Sequence, residues 1–270
     1  MSLAEYAQMM ARSGTRVIGR NGCFWRQVRP FFYRPLLPVE RHEESRLQPP
    51  GAWPRAFQYA IADDRRANSK LNFIMLDDPQ AYSLDGVKHR RRQLIRRAAQ
   101  QFQVRPLGDP DELKEHGHRA YLSFYERTRY AYRTDRRKKA AFAEWIDTLF
   151  GCPKTILLGG YGPKGLAGLS ASYWVNDTLV YSTLICDTES MQRNLGELMF
   201  HEVRQLAAQQ SRIKRVLVRP FQGGNSHDQY YLLRGCRLVS LPARLEMPFP
   251  IKASLRLAMP RKYNLLCGNF

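Results

Sequence analysis

The chain has 270 residues, and its 43 Lys and Arg against 24 Asp and Glu give a formal net charge of +19. Because 44% of the residues are hydrophobic, including 13 Phe, 14 Tyr and 4 Trp, the chain can fill a core, which excludes a disordered polymer. The charge predicts attraction to a polyanion, such as nucleic acid, an anionic membrane face or a phosphate-rich cofactor, and does not distinguish among these.

The cysteines and the first residues indicate a compartment. The cysteines are odd in number and scattered, and no Cys-x-x-Cys pair occurs, so neither a disulfide framework nor a metal site is expected and a cytoplasmic location is favoured. Polar residues interrupt the segment 1–12, which therefore does not resemble a secretory signal. No run approaches the roughly 18 apolar residues that span a bilayer, so no transmembrane segment is predicted.

The N-terminal part predicts strands and loops after one short helix at 3–12. Aromatic and basic residues alternate at 24–28 and 31–34. We interpret this alternation as half-buried strands, and the alternative is a surface that stacks nucleic-acid bases. Residues 47–54 are rich in Pro and predict a surface connection, and apolar runs within 56–76 predict further strands.

Two predicted helices carry much of the positive charge. The first spans 85–101 and contains a basic run that begins at Lys88 and ends at Arg97, whose charge density indicates an acidic neighbour or a polyanion. The second begins at Pro110 and leads into tyrosines and basic residues between Arg127 and Lys139. That region is the strongest candidate surface for tRNA or another polyanion, although aromatic residues at helical spacing usually belong to a core. A third helix is predicted at 140–150.

An antiparallel meander is predicted between residues 155 and 186. Turn residues at 163–165 and 176–177 separate three apolar runs, and such short turns predict hairpins. Gly159 and Gly160 precede a strand instead of a helix, so they do not fit a phosphate-binding loop.

The most informative stretch follows this meander. A strand at 179–186 leads to a helix that starts near Gln192 and ends near residue 210, and a strand at 215–218 comes next. Gly196 in the first turn lets a ligand approach backbone N–H groups that carry partial positive charge. A pyrophosphate is therefore expected there, and the alternative is an ordinary helix whose Gly196 packs against a strand.

This block resembles the GNAT acyltransferase superfamily, whose acyl-CoA signature is Gln/Arg-x-x-Gly-x-Gly/Ala at that helix start. The chain has Arg193-Asn194-Leu195-Gly196-Glu197-Leu198, in which Leu198 replaces the last small residue of the signature. Farther along, Asn225, Tyr230-Tyr231 and Gly235 follow the family's order of Asn, Tyr and Gly. The basic helix and the strand at 102–107 also resemble the FemAB-like branch, which includes the Fem-type peptidyltransferases.

The resemblance covers about residues 85–247 and implies the fold class. We expect an α/β (α+β) protein with a GNAT-like mixed, mainly antiparallel sheet flanked by helices. Residues 1–84 would form an N-terminal extension of strands and loops that packs on the main domain, and residues 248–270 would form a C-terminal tail.

The resemblance also implies a donor site. Acyl-CoA, as co-substrate, would lie along the strand that ends at Ile185 and Cys186, where backbone N–H groups freed by two parting strands polarise the carbonyl oxygen. The residues implied in cofactor binding are Ile185, Cys186, Gln192, Arg193, Asn194, Leu195, Gly196, Glu197 and Asn225.

Proton transfer requires a base for the acceptor amine and an acid for the leaving thiolate. We predict Asp187 or His227 as the base and Tyr231 as the acid. Capping of a helix or turn is the structural alternative for Asp187 and His227, and Cys186 is expected to be an inert core residue.

The predicted function is N-acyl transfer from acyl-CoA to an amine acceptor. Two alternatives remain open. One is aminoacyl transfer from aminoacyl-tRNA, as in Fem-type relatives. The other is a non-catalytic nucleic-acid-binding protein on a degenerate GNAT-like fold.

Overall fold

The structure is a computed structural model that describes residues 1–43, 47, 55–129 and 133–269. The chain forms two compact units, each assembled from separate stretches. The first unit contains Met1 and residues 76–218, and the second contains residues 2–75 and 219–270. The domain boundaries predicted after residues 84 and 247 stay a prediction.

The described residues form both strands and helices. The strands are β1 (Val17–Arg20), β2 (Cys23–Arg29), β3 (Phe32–Pro35), β4 (Arg41–His42), β5 (Ala56–Ile61), β6 (Ser69–Leu76), β7 (Gln103–Pro106), β8 (Thr155–Gly162), β9 (Gly165–Val175), β10 (Thr178–Cys186), β11 (Arg215–Pro220) and β12 (Arg237–Glu246). The helices are α1 (Leu3–Arg12), α2 (His89–Ala99), α3 (Pro110–Thr128), α4 (Lys139–Phe150), α5 (Thr188–Gln192), α6 (Leu195–Gln209), α7 (Ser226–Leu232), α8 (Phe249–Ala258) and α9 (Pro260–Cys267).

The first unit is built on strands in the order β11-β10-β9-β8-β7. The pairs β7–β8, β8–β9 and β9–β10 are antiparallel, which confirms the predicted meander, and β10–β11 is parallel. β9 is buried along almost its whole length, as expected for a central strand covered on both faces. Gly165 and Asn176 adopt positive φ (91° and 50°) in the two hairpin turns, where such residues are favoured.

Helices α3 and α4 form an aromatic cluster in the first unit. Tyr121, Phe142 and Trp145 are buried, with ring centroids 5.3–5.9 Å apart, and Tyr125 lies 5.2 Å from Tyr121. Tyr121 and Tyr125 of this predicted nucleic-acid surface are therefore core residues, because their helical spacing places them on one packed face, whereas Phe124 is half-buried. Tyr130 and Tyr132 lie outside the described residues.

The second unit is built on strands in the order β1-β2-β3-β5-β12-β6, and β4 pairs with β5. Trp25 is wholly buried, with its ring against Phe57 and Tyr59. This burial confirms the interpretation of residues 24–28 as a half-buried strand. The alternating arginines point to the opposite face, because successive side chains alternate across a sheet. The predicted connection at 47–54 falls, except for Leu47, outside the described residues.

The C-terminal residues form the helices α8 and α9, which the sequence analysis treats as a surface tail. Pro250 and Pro260 occupy early positions of these helices, where a missing N–H costs nothing. α9 ends at Gly268 with φ 85°, and a Cβ at this position would lie only 2.5 Å from Cβ of Lys70. Among the described residues, no helix has the length and apolar character needed to cross a bilayer.

Candidate functional site

The strands β10 and β11 pair over only three residues. Their parallel register joins Thr178–Val180 to Arg215–Leu217, and beyond Val180 the described strand partner of β10 is β9 alone. The register with β9 also shifts between Tyr181 and Thr183. Over residues 182–186 the edge of β10 that faces away from β9 therefore pairs with no described strand, as the predicted parting of strands requires.

The helix α6 begins beside the end of this open edge. Asn194 precedes it with φ 69°, and its carbonyl accepts the N–H groups of Glu197 (3.0 Å) and Leu198 (3.3 Å). The N–H groups of Leu195 and Gly196 make no hydrogen bond to any described residue, as is usual in the first turn of a helix. Leu195 and Gly196 are nevertheless buried, whereas Gln192 and Arg193 are exposed. The first turn is therefore closed to solvent at its centre.

A buried ion pair occupies the first turn of α6. Glu197 is 5% exposed, and its Oε1 lies 2.6 Å from the guanidinium of Arg91, whose side chain is 26% exposed. Arg91 belongs to α2, the basic helix for which the sequence predicts an acidic neighbour or a polyanion. For Arg91 this neighbour is Glu197, and for Arg92 it is Asp85, at 3.2 Å. A carboxylate in the first turn also complements the positive end of the helix.

Two glycines of the meander hold the start of α6 against the sheet. A Cβ at Gly160 would lie 2.8 Å from Cδ1 of Leu195, and a Cβ at Gly168 would lie 3.1 Å from Cδ2 of the same side chain. Leu195 is fully buried in the space that these glycines leave. Gly160, which the sequence analysis excludes from a phosphate loop, therefore positions this helix by close packing.

The residues at the end of β10 have structural contacts of their own. Asp187 caps α5, because its Oδ1 accepts the N–H of Ser190 at 2.7 Å. Burial raises the pKa of the Cys186 thiol to about 12, and its Sγ lies 3.8 Å from Sδ of Met199. Arg127 donates a hydrogen bond to the carbonyl of Cys186 at 3.1 Å. The thiol is therefore protonated at neutral pH, as expected of an inert core residue.

The remaining predicted residues belong to the second unit and surround α7. Asn225 caps this helix by accepting the N–H of Asp228 at 2.9 Å. His227 is exposed on the same helix. Burial raises the pKa of Tyr231 to about 12, and its ring lies 4.9 Å from that of Tyr230. A phenol with this pKa stays protonated through the physiological range and can act only as a proton donor there.

Asp228 is a residue that the sequence analysis does not select. It is fully buried, and its Oδ2 accepts the N–H groups of Gln222 (2.8 Å) and Gly224 (3.0 Å). Its Oδ1 lies 3.5 Å from Nε of Arg219. Asp228 thus closes the loop between β11 and α7. The spacing of a capping Asn and an acid three residues later is the signal in the sequence that indicates this role.

The predicted site residues thus fall into two sets. Ile185–Asp187 and Gln192–Glu197 lie together in the first unit, where Sγ of Cys186 and the side chain of Leu195 both border Gly168. Asn225, His227 and Tyr231 lie together in the second unit. Within the part of the chain that the structure describes, His, Cys, Asp and Glu side chains form no group of three suited to a metal ion.

Comparison with known proteins gives matches only at the level of structure. No family model and no curated sequence matches the chain. The C-terminal domain of a lysylphosphatidylglycerol synthetase from Agrobacterium fabrum is similar with TM-score 0.60 and 11% identity, over 98% of this chain and 93% of that domain. FemX is similar with TM-score 0.58 and 8% identity, over 93% and 92% of the two chains. L-PGS from Bacillus licheniformis has TM-score 0.58 and 10% identity, over 96% and 91%.

These similarities extend over both compact units. The chain therefore has the mixed α/β, mainly antiparallel fold that is GNAT-like and FemAB-like, which confirms the predicted fold class and the predicted resemblance. At such low identity the similarity concerns the fold, and chemistry has to be argued from the residues.

Proposed function

We propose that this protein is an aminoacyl transferase that takes its aminoacyl group from aminoacyl-tRNA and transfers it to an amine. The observation that carries this proposal is the buried Glu197–Arg91 pair in the first turn of α6. In the GNAT signature this turn receives the diphosphate of acyl-CoA through its backbone N–H groups.

The first turn of α6 is poorly suited to a free diphosphate. A phosphate placed there meets the carboxylate of Glu197, a like charge in a region of low dielectric constant, and Arg91 is already engaged. Leu198, where the signature has a small residue, is 4% exposed, and Leu195 and Gly196 are buried too. These three features favour a donor that is held by its phosphates elsewhere.

The exposed cations of the first unit provide such a holding surface. Lys88, Arg90, Arg96 and Arg97 on α2 are exposed and form no ion pair with a described residue. A nucleic-acid backbone is the ligand that neutralises many cations at once by releasing condensed counterions. The affinity of a nucleic acid for this surface does not require a preformed pocket for one diphosphate.

The open edge of β10 supplies the chemistry of the proposed site. The acceptor amine attacks the ester carbonyl of the aminoacyl group, a C–N bond forms, and the C–O bond to the ribose breaks. The tRNA leaves with a hydroxyl that must gain a proton, while the amine loses one. Backbone N–H groups along residues 182–186 that face away from β9 would stabilise the oxyanion. Tyr231 stays the candidate proton donor on sequence grounds, and its raised pKa keeps the phenol protonated.

Two further observations bear on the donor. The name of the Agrobacterium fabrum protein refers to a lysyl ester of a lipid, which is an aminoacyl product, and Fem-type relatives use aminoacyl-tRNA. The motif around Gly196 favours acyl-CoA as a second candidate donor, because the Leu195 and Gly196 N–H groups have no described partner. Asp187 and His227 stay candidate bases on sequence grounds.

Binding measurements distinguish these donors. We expect total tRNA to bind with an affinity that falls steeply with salt, and CoA to give no heat in isothermal titration. In a triple variant of Arg90, Arg96 and Arg97 to Gln, the slope of log K against log salt should decrease in magnitude by about 0.9 for each lost phosphate contact. The matched control replaces the exposed residues Arg12, Arg20 and Arg65 by Gln, with the same change in net charge.

Turnover is measured as the loss of a radioactive amino acid from a charged tRNA pool when glycinamide is supplied as the amine. We expect Tyr231→Phe to slow this loss about 100-fold or more, because general acid catalysis contributes on this scale. Tyr263→Phe in α9 is the control. Micromolar CoA binding that Gly196→Asp abolishes, together with salt-insensitive tRNA retention, contradicts the proposal in favour of an acyl-CoA donor.

A further inference from the structure

Two arginines face each other on neighbouring strands of the second unit. Arg26 on β2 and Arg34 on β3 are paired in the antiparallel register, so their side chains extend from the same face of the sheet. Both residues are half-buried, and the Nε atom of each is buried without a hydrogen-bond partner. Like charges directly opposite one another destabilise a sheet, so this arrangement calls for a compensating group.

The structure provides no carboxylate for either arginine among the described residues. The described contacts of Arg34 are a hydrogen bond to Gln58 and a cation–π contact with Phe32, and no ion pair is formed by Arg26 or Arg34. Burial, and after it the neighbouring charge of Arg26, lowers the pKa of Arg34 to about 10. Charged side chains that leave water are ordinarily paired, so these two guanidinium groups are suited to hold an anion.

Arg34 is held in place by a prepared hydrogen-bond network. Its guanidinium donates to Oε1 of Gln58 at 2.6 Å, and Gln58 is completely buried. The amide nitrogen of Gln58 lies within hydrogen-bond distance of the Leu266 carbonyl (2.8 Å), the Lys70 carbonyl (3.3 Å) and Oγ of Ser69 (3.3 Å). These acceptors fix the orientation of the Gln58 amide, so that its oxygen faces Arg34 and accepts the hydrogen bond from the guanidinium. A flexible surface arginine has no such support.

We propose that Arg26 and Arg34 form a binding site for a phosphate group. Directly opposed residues in an antiparallel pair have Cα atoms roughly 4.5–5.5 Å apart, so both guanidinium groups can reach one tetrahedral anion. A single arginine satisfies a carboxylate by a bidentate contact, whereas a phosphate offers oxygens to two such forks. A phosphate monoester carries roughly −1.5 to −2 charges near pH 7, which matches the two cations.

This site lies wholly within the second unit and does not depend on the proposed transferase reaction. The phosphate monoester can belong to a small molecule or to the headgroup of phosphatidic acid, and the chemistry of recognition is the same for both. The distinction is therefore left to the experiment.

The test compares thermal unfolding in sodium phosphate with unfolding in sodium chloride at equal ionic strength. We expect phosphate to raise the Tm of the wild-type protein by several degrees. Arg26→Gln removes one of the two like charges, so its Tm in chloride should equal or exceed that of the wild type. The same variant should lose the rise in phosphate. An arginine that merely stabilises the fold would lower the Tm in both salts when replaced. A Tm that is kept in chloride but no longer rises in phosphate is therefore specific to a phosphate site.

Two further variants make the result decisive. Arg34→Lys keeps the charge and loses the forked geometry, and we expect its phosphate Kd, measured by isothermal titration, to be at least tenfold weaker. Arg16→Gln is the control, because Arg16 is an exposed arginine of the same unit that contacts the side chain of Gln27, and it should keep the full phosphate response.

The source of the phosphate is identified in two parallel arms. Glycerol 3-phosphate that raises the Tm as inorganic phosphate does indicates a small phosphomonoester. Sedimentation with vesicles that contain phosphatidic acid, but not with phosphatidylcholine vesicles, that is lost in Arg26→Gln indicates a lipid headgroup. Absence of a phosphate-specific rise in the wild type, or an equal rise in Arg26→Gln, overturns the proposal.

Discussion

Helices α6 and α7 both carry a buried acid at their third position, and the two acids have opposite partners. Glu197 in α6 extends away from its own helix to Arg91, which is 106 residues distant along the chain. Asp228 in α7 turns back towards the preceding loop and accepts the N–H groups of Gln222 and Gly224.

This difference shows how one capping position serves two purposes. Asp228 uses local N–H groups, so the loop before α7 is closed and has little capacity left for an outside anion. Glu197 pairs with a cation that is distant along the chain. The first N–H groups of α6 therefore remain able to donate hydrogen bonds, while the carboxylate beside them carries a negative charge. The carboxylate of Glu197 therefore places a negative charge, paired with Arg91, beside the first N–H groups of α6.

The largest loss of unfolding free energy is expected from Asp228→Ala. This change removes the acceptor of the Gln222 and Gly224 N–H groups and the ion-pair partner of Arg219 from a fully buried position. We expect the free energy of unfolding, measured by urea titration, to fall by about 3 kcal/mol. Asp228→Asn keeps an acceptor oxygen and should recover about half of the loss. An unchanged unfolding midpoint for Asp228→Ala would show that water replaces the carboxylate.

The second effect is expected from Arg91→Leu, which leaves Glu197 buried without this cation. We expect a loss of about 2 kcal/mol at pH 7, less than for a fully buried pair because Arg91 is 26% exposed. The double variant Arg91→Leu with Glu197→Leu should be close to the wild type in stability, since a buried pair can be exchanged for apolar residues. If the losses of unfolding free energy in Arg91→Leu and in Glu197→Leu, measured singly, simply add in the double variant, the two residues are not energetically coupled.

The smallest effect is expected from Gly160→Ala, which tests how firmly α6 is fixed. The new Cβ would lie 2.8 Å from Cδ1 of Leu195, and relief of this overlap should cost about 1–2 kcal/mol. Leu195→Val in the same background should recover part of that loss. Gly86→Ala is the control, because its nearest neighbour, Oγ of Ser83, is 3.5 Å away. Equal stability of the two single variants would contradict a tight contact.

Local patterns in the sequence were sufficient to predict most of the elements. The helices near 3–12, 110–128 and 139–150 follow from periodicity, the second also from Pro110 and the acids at its start, and the meander follows from its turn residues. The helices α8 and α9 were not predicted, because two prolines within a short tail suggest a loop when their position in a helix is unknown.

Contacts between distant residues could not be predicted in the same way. The role of Gly160 depends on Leu195, which is 35 residues later, and the pairing of Arg91 with Glu197 depends on the packing of α2 against α6. The opposed Arg26 and Arg34 become visible only once the register of β2 and β3 is known. Sequence patterns predict which face is buried, and tertiary structure decides which partner lies there.

The fit of Leu195 into the space left by Gly160 and Gly168 restricts how this protein can change in evolution. Substitution of either glycine or of Leu195 would disturb the central strands and the helix together, so these positions can vary only in concert. Gln192 and Arg193, which are exposed just before the helix, are free of that restriction. Exchanges at these two exposed positions therefore leave the packed glycine–leucine contact unchanged.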